Sequence, residues 1–390
     1  MELILLISYL ILFLLILILI INIINFLSIK KIKNKFNSSS KRLTQDSQKF
    51  SKKISVLIPV RNEENNILKC LNSVLREKHI EYEIIVLNDN STDNTANILN
   101  SINNQKVKII QGEPLPEGWV GKNFACYQLS ESATGDYLLF IDADTEIKEG
   151  GLLSAGIFME NENPDLLSVM PEEETITFWE KIVIPMLHFT VMNFLPIALV
   201  EHAKSEKLLM SNGQFMMFKR ESYFKSGGHK KLKNKIVEDV WFGRLIKQTG
   251  GKVIFADGVD IIKCRMYSDF IGVWNGFSKN LFPGLSFSLL GLINIFILYG
   301  VLFVLPLLIL IFSFFTANID LLKLSVINFF IPVIIRILQA IKFKLPVIYS
   351  FTNFIGSFMI ILFGINSLRI LRFGRGSQWK GRFYKESEIK

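Results

Sequence analysis

From Leu3 to Leu27 the chain carries no charged side chain. As a helix rising about 1.5 Å per residue, this stretch covers more than the roughly 30 Å of a bilayer's hydrocarbon core. A cleaved secretory leader is the competing reading. The run exceeds the usual apolar region of such leaders, no basic segment precedes it, and no small-residue cleavage site follows. Lys30, Lys31, Lys33 and Lys35 come directly after it. Positive charge stays on the cytoplasmic side, so the chain is expected to enter the cytoplasm near residue 30. Residues 1–29 therefore read as a transmembrane anchor, and the Ser- and Lys-rich residues 30–53 as a basic linker.

Half of the 390 residues are hydrophobic and the mean hydropathy is +0.35. That leaves room for one soluble domain and several membrane segments. The net charge of +9 is not spread evenly. Residues 28–53 hold nine Lys and Arg against Asp46, and residues 369–390 hold seven against Glu386 and Glu388. Without these two segments and Glu2, 28 bases face 31 acids. The excess flanks apolar runs, where it meets anionic headgroups at roughly 1 kcal/mol per charge. No basic patch remains to bind nucleic acid. Cys70, Cys126 and Cys264 lie far apart, with neither a disulfide framework nor a zinc spacing.

From Ile54 to about Val259, short apolar runs alternate with helical patterns. "ISVLIPV", "EIIVL", "VKII", "DYLLFI" and "DLLSV" read as strands, and "NEENNILKCLNSVLREK" has helical spacing. Continuous apolar strands separated by helices imply a mostly parallel sheet covered on both faces. Ligands bind beyond the carboxyl ends of such strands. Asp89 and the pair Asp142 and Asp144 fall there; the pair suits a metal ion, although a strand-to-turn boundary also welcomes Asp. Ile182–Val200 is uncharged and holds two prolines and His188. It is either a span, a buried helix pair, or, as we prefer, an apolar surface at the bilayer interface that helps a lipid enter.

Beyond Asp269 the chain is again apolar. Ser286–Phe315 is one long segment and Val347–Leu368 reads as a clean span; between them lies a run carrying Lys323, Pro332 and Arg336. The basic tail, 369–390, favours an even number of crossings over 271–368, which keeps it beside a catalytic domain at 54–270. Either the middle segment is then interfacial, or the first is a hairpin through Gly300.

No dinucleotide or P-loop glycine motif is present. "SVLIPVRNEENNI", "EIIVLNDNSTDNT", "GWVGKNFAC", "DYLLFIDADT" and "VEDVWFGRLI", in this order over roughly 54–270, resemble family 2 glycosyltransferases. The resemblance implies an α/β fold, a GT-A, Rossmann-like nucleotide-sugar-binding domain, here with an N-terminal transmembrane anchor and C-terminal transmembrane helices. It further implies a nucleotide-sugar donor whose diphosphate leaves with negative charge, and a divalent cation, Mn2+ or Mg2+, to stabilise it. Asp144 and Asp142 are then the metal ligands, with Asp142 also reaching the ribose or a metal-bound water. On an extended backbone, residues i and i+2 point to one side, which turns both carboxylates toward the diphosphate. Pro59, Glu63 and Asp89 are expected to hold the nucleoside, and Lys122 and Arg265 the phosphates, whereas Asp93 reads as a helix cap. Asp239 is expected as general base, with Glu238 in reserve because adjacent helical residues diverge by about 100°. Gly213, Gln214 and His229 belong to the acceptor-side segment.

Arg265 stands where processive synthases carry QxxRW, but Ile262 and Met266 replace the Gln and Trp. That departure argues against a polysaccharide synthase, and the retained acids argue against a non-catalytic scaffold. "GWVGKNFACYQ", "GGHK", "CRMY" and "QWKGRFY" are similar to the carotenoid and hopanoid-associated branch of the family. This resemblance implies glucose transfer from UDP-glucose to a membrane lipid by a multi-pass cell-membrane enzyme with a cytoplasmic catalytic domain. The acidic Asp239 points to a hydroxyl acceptor, since a carboxylate acceptor hardly needs a base.

Overall fold

The computed structural model describes residues 1–34, 50–202, 205 and 209–389. The linker expected over 30–53 thus lies outside the described residues from 35 to 49. The chain divides into two compact units, one of Met1–Ser28, Thr175–Ala198 and Tyr267–Ser377, the other of Ile29–Glu174, Leu199–Met266 and Gln378–Lys390. The segment 175–198, read from sequence as part of a continuous 54–270 domain, clusters with the apolar helices. Residues 378–390 cluster with the sheet.

The sheet unit is built on strands β1 (Ile54–Val60), β2 (Tyr82–Asn88), β3 (Val107–Gln111), β4 (Tyr137–Ile141), β5 (Thr145–Ile147), β6 (Leu166–Met170), β7 (Glu172–Glu173), β8 (Phe215–Lys219), β9 (Val253–Asp257) and β10 (Ile262–Cys264). Seven of them form one sheet in the order β3-β2-β1-β4-β8-β6-β9. Only β8 runs antiparallel, against β4 and β6. β4 and β6 are buried along their whole length, which is why they read as unbroken apolar runs instead of alternating ones. A smaller sheet, β5-β10-β7, follows at the β4 end. Chain reversal between β4 and β5 places Asp142, Ala143 and Asp144 in a turn closed by Thr145 N–H donating to the Asp142 carbonyl at 3.1 Å. The extended backbone expected for this pair is therefore not what the chain adopts, because Thr145 also anchors its hydroxyl on the same carbonyl at 2.6 Å.

In the helical unit, four helices are long and apolar enough to cross a membrane: Glu2–Ser28, Leu289–Phe314, Ile319–Lys342 and Val347–Arg372. Polar contacts sort their directions. Asn328 donates to the Ser8 carbonyl at 2.9 Å, and Lys342 Nζ to the Phe26 carbonyl at 2.9 Å, so helices 2–28 and 319–342 run parallel. Ser313 meets Ser325 at 3.1 Å across a short connection, making 289–314 antiparallel to both. The helix passes through Gly300 as a π turn without reversing.

The last of these segments, expected as a clean span and apolar enough to be one, starts partway along its neighbour. Phe351 and Asn353 share a small cavity with Asn328 and Pro332, which lie at the middle of helix 319–342, not at its end. From that depth helix Asn353–Arg372 climbs back. A Cβ on Gly364 would touch Leu292 at 2.8 Å, and Ser367 accepts from the Phe282 N–H at 3.0 Å. Segment 347–372 thus starts level with the middle of helix 319–342 and runs back along helix 289–314. Arg372 finishes at the same end of this unit as Ser28.

Ile182–Val200 forms short helices, Phe178–Val183, Pro185–Phe194 and Ile197–His202, each too short to span. Asn25 donates to the Met192 and Leu195 carbonyls and accepts from Ile197 N–H, satisfying the backbone where the chain bends. Asn22 meets Asn193 at 2.9 Å. Ile182, Val183, Met186, Phe189 and Met192 are fully buried. The stretch thus forms short, largely buried helices and no single span.

Candidate active site

The carboxyl ends of β1, β2 and β4 bring together residues that are far apart in sequence. β1 and β2 pair in register up to Val60 and Asn88, and Asp89 N–H donates to the Val60 carbonyl at 2.8 Å. Asp89 therefore leaves β2 beside the turn holding Arg61, Asn62 and Glu63. Pro59 sits one step earlier, partly exposed, paired with Leu87.

Lys122 stands in the first turn of helix Gly121–Ser132 and its ammonium joins two segments. It lies 2.7 Å from Asp142 Oδ1 and 3.0 Å from Glu238 Oε1. Burial pulls its pKa down, but Asp142 and Glu238 outweigh this and hold it well above the ordinary lysine value. Gly213 fills the remaining corner. A Cβ there would lie 3.4 Å from Lys122 Nζ, 3.6 Å from Glu238 Oε1 and 3.7 Å from Asp239 Cβ.

Asp239 opens helix Glu238–Gln248. Its Oδ2 accepts from Gly213 N–H at 3.1 Å and its Oδ1 from its neighbour Val240 N–H at 2.7 Å. Glu238 is tied to Lys122, whereas Asp239 is held by backbone. Burial, then the charge of Glu238, pushes the Asp239 carboxyl up to about 7. A carboxylic acid poised near neutrality is suited to taking a proton from a substrate.

Asp144 lies deeper. Its Oδ1 is buried without a hydrogen-bond partner. Burial, Asp142 and Glu63 push its carboxyl up to about 7. A buried acidic oxygen with no donor and two acidic neighbours is a place for added positive charge. Hard cations take oxygen ligands, so Asp144 and Asp142 fit Mn2+ or Mg2+. Among the described residues no group of three His, Cys, Asp or Glu side chains is placed to hold a metal. The remaining ligands would have to be water or substrate oxygens.

Arg265 donates its backbone N–H to the Asp144 carbonyl at 3.4 Å, placing it beside the turn. Gln214 points the other way, donating to Cys264 Sγ at 3.0 Å. Behind it Glu173 is buried, and that burial drives its carboxyl up to about 8. His229 is 1% exposed; its Nδ1 is 2.7 Å from the Tyr223 hydroxyl and its ring packs between Phe140 and Phe242. Burial and then Lys122 hold its pKa well below the usual value, so it is a neutral interior residue behind Lys122. Asp93 accepts from Thr95 N–H and Glu64 N–H, which is local turn chemistry.

Sequence reasoning missed the partner of Asp89. Arg382 grips it with both ends of its guanidinium, Nη1 to Oδ2 at 2.6 Å and Nη2 to Oδ1 at 3.0 Å. Lys380 lies 2.7 Å from Glu63 Oε1. Both belong to the hairpin of β11 (Ser377–Trp379) and β12 (Arg382–Tyr384), within what reads from composition as a basic tail. The signal was present in "WKGR", a residue-Gly pair between strand-like flanks.

Residues 55–226 match the family model "Glycosyl transferase family 2". The chain is 29% identical over 236 residues to a 4,4'-diaponeurosporenoate glycosyltransferase of Staphylococcus haemolyticus, covering 60% of this chain and 62% of that protein. It is 28% identical, with the same coverage, to the enzyme of that name from Staphylococcus aureus strain MRSA252. The match thus spans under two thirds of these relatives' length. A mannosyltransferase from Pyrobaculum calidifontis, solved with GDP-Man and Mn2+, is similar in fold at a TM-score of 0.51 and 13% identity, over 84% of this chain and 93% of that one. The parallel-rich sheet with acids at its carboxyl edge is the GT-A architecture, and residues 55–226 are a glycosyl transferase family 2 domain.

Proposed function

We propose that this protein is an inverting glycosyltransferase that moves a hexose, glucose, from a UDP-sugar to a hydroxyl on a membrane lipid of isoprenoid or lipid-alcohol type, at the cytoplasmic face of the cell membrane. The observation that carries this reading is Asp239: a carboxyl poised near neutrality, held by two backbone N–H groups and set across Lys122 from the Asp142–Asp144 turn. In this reading Asp239 accepts the acceptor's proton as its oxygen attacks the anomeric carbon. The bond from that carbon to the diphosphate breaks, and UDP leaves with the electron pair. Attack from the face opposite the leaving group inverts the anomeric configuration. Lys122 offsets the charge gathering on the phosphates, Arg265 adds to it, and Asp89 and Glu63 hold the nucleoside. A Mn2+ or Mg2+ ion held by Asp144 and Asp142, when bound, supplies Lewis-acid stabilisation to the departing diphosphate.

The names of the relatives and the apolar helices support a lipid acceptor. The missing QxxRW platform supports single transfer over polymer synthesis. Purified protein incubated with UDP- and GDP-sugars, Mn2+ and lipids bearing either a hydroxyl or a carboxylate tests this. Sugar should enter the organic phase from a UDP-sugar, on the hydroxyl lipid, and Asp239→Asn should abolish that transfer. Transfer to the carboxylate lipid alone, untouched by Asp239→Asn, would overturn the base; a growing polymer would overturn single transfer.

A further inference from the structure

The hairpin β11–β12 turns through Lys380 and Gly381, both with positive φ (45° and 85°). Two such residues in a two-residue loop make the tight turn whose twist matches paired strands, and glycine is needed at the second for its φ alone. Trp379, Arg382 and Tyr384 then share one face. That face lies on Gly121, at the start of the helix that carries Lys122. Tyr384 Oη accepts from Gly121 N–H at 3.0 Å, and a Cβ on Gly121 would stand 2.0 Å from Arg382 Nη1 and 2.8 Å from the Trp379 ring. The glycine of "GWVGK" is therefore required by the hairpin of "QWKGRFY", some 260 residues away.

From this seat the hairpin ties the loops after β1 and β2 to each other. Besides the Arg382–Asp89 fork and the Lys380–Glu63 pair, Lys380 Nζ donates to the Asn62 carbonyl at 3.0 Å. Arg61 reaches back to the carbonyls of Lys380 and Asp89, at 3.1 and 2.6 Å. Asp89 is 4% exposed, and such a buried ion pair adds little to stability over an apolar replacement. What it does provide is aim: a two-pronged guanidinium fixes the carboxylate plane, while each oxygen keeps a second lone pair for another donor.

We propose that this hairpin is a wall of the donor-nucleotide site, with Arg382 the positioning residue that aims Asp89 at the nucleoside of the UDP-sugar. The inference rests on the donor reading given above. It assigns the C-terminal segment a place in substrate recognition instead of a purely electrostatic role at the membrane.

The test is calorimetric titration of the full-length protein with UDP and Mn2+, together with KM and kcat for the UDP-sugar. Arg382→Ala should weaken UDP on the order of tenfold and raise KM, leaving kcat within about twofold. Arg382→Lys, which keeps the charge but not the fork, should fall between and guards against loss of fold. In an Asp89→Asn background Arg382→Ala should cost nothing more, since Arg382 acts through Asp89. Unchanged affinity in Arg382→Ala and Arg382→Lys would overturn the proposal, as would fully additive losses in the double variant. Tighter UDP binding in Arg382→Ala would also overturn it, showing a strap that occupies the pocket. Failure of the unaltered protein to bind UDP would sink the donor reading itself, and this proposal with it.

Discussion

At the scale of single residues, the proposed chemistry falls to two acids of the site, Asp239 and Asp144, both pushed up to about 7. Asp239 is raised to about 7 while bonded to backbone N–H groups, so below that pH it carries its proton and cannot accept another. Its raised value gives a sign: kcat/KM should climb as pH rises through about 7 and level off above it, measured from pH 5.5 to 8.5 at saturating Mn2+ (a range of about 3 pH units). Asp239→Asn should lower kcat by about 10²–10⁴-fold with little change in KM for the donor. Asp144 could be read from sequence because a strand buried on both faces must surface somewhere and charge collects there, and Asp239 only through the resemblance of "VEDVWFG" to the family's acidic pair. Their surroundings could not. Nothing in "DADT" says that Thr145 closes a turn on Asp142 and leaves Asp144 Oδ1 buried without a partner. Nor does "GGHK" say that Tyr223, Phe140 and Phe242 enclose His229.

At the scale of elements, apolar runs foretold β1, β2, β4 and β6, since a doubly covered strand has no polar face to confuse the pattern. Short pieces with local geometry were harder. The two-strand hairpin at the C-terminus is held by contacts to Asp89, Glu63 and Gly121, which are remote in sequence, and its charges look like those of any basic tail. Its fit is close enough to test from the other side. Gly121→Ala places a methyl within the space of the Arg382 guanidinium and the Trp379 ring, and should displace the hairpin. The variant is expected to raise KM for the UDP-sugar about as much as Arg382→Ala does. A KM equal to that of the unaltered protein would mean that the hairpin does not press on this helix. In the helical unit, Asn25→Leu removes three hydrogen bonds that hold the bend after Phe194. It should lower stability in detergent by roughly 1–3 kcal/mol, seen as an earlier thermal transition.

At the scale of the whole molecule, hydropathy counts apolar segments but does not give their depth. Helix 353–372 is apolar enough to cross, yet its first turn lies level with the middle of helix 319–342, and Ser367 returns to Phe282. Asn353, Ser357 and Ser350 are polar residues buried on this segment, which suits a chain that dips and returns inside protein rather than in lipid. We propose that segment 347–372 re-enters the membrane, which places Gln378–Lys390 on the same side as Ile29–Glu174; both stretches belong to one compact unit. Single cysteines introduced at Glu388 and at Glu113, in a background lacking the three native ones, should react with an impermeant maleimide from the same side in vesicles. Labelling of the two from opposite sides would mean that segment 347–372 crosses after all.

The account as a whole stands on the acids at the carboxyl edge of the sheet forming a site for a metal and a nucleoside diphosphate. Titration of UDP into the protein with and without Mn2+ measures this directly. Mn2+ should strengthen UDP binding about tenfold or more, with protons released near pH 7 as Asp144 gives up its proton, and Asp144→Ala should erase the gain. UDP binding that is indifferent to Mn2+, and equal in Asp144→Ala, would contradict it.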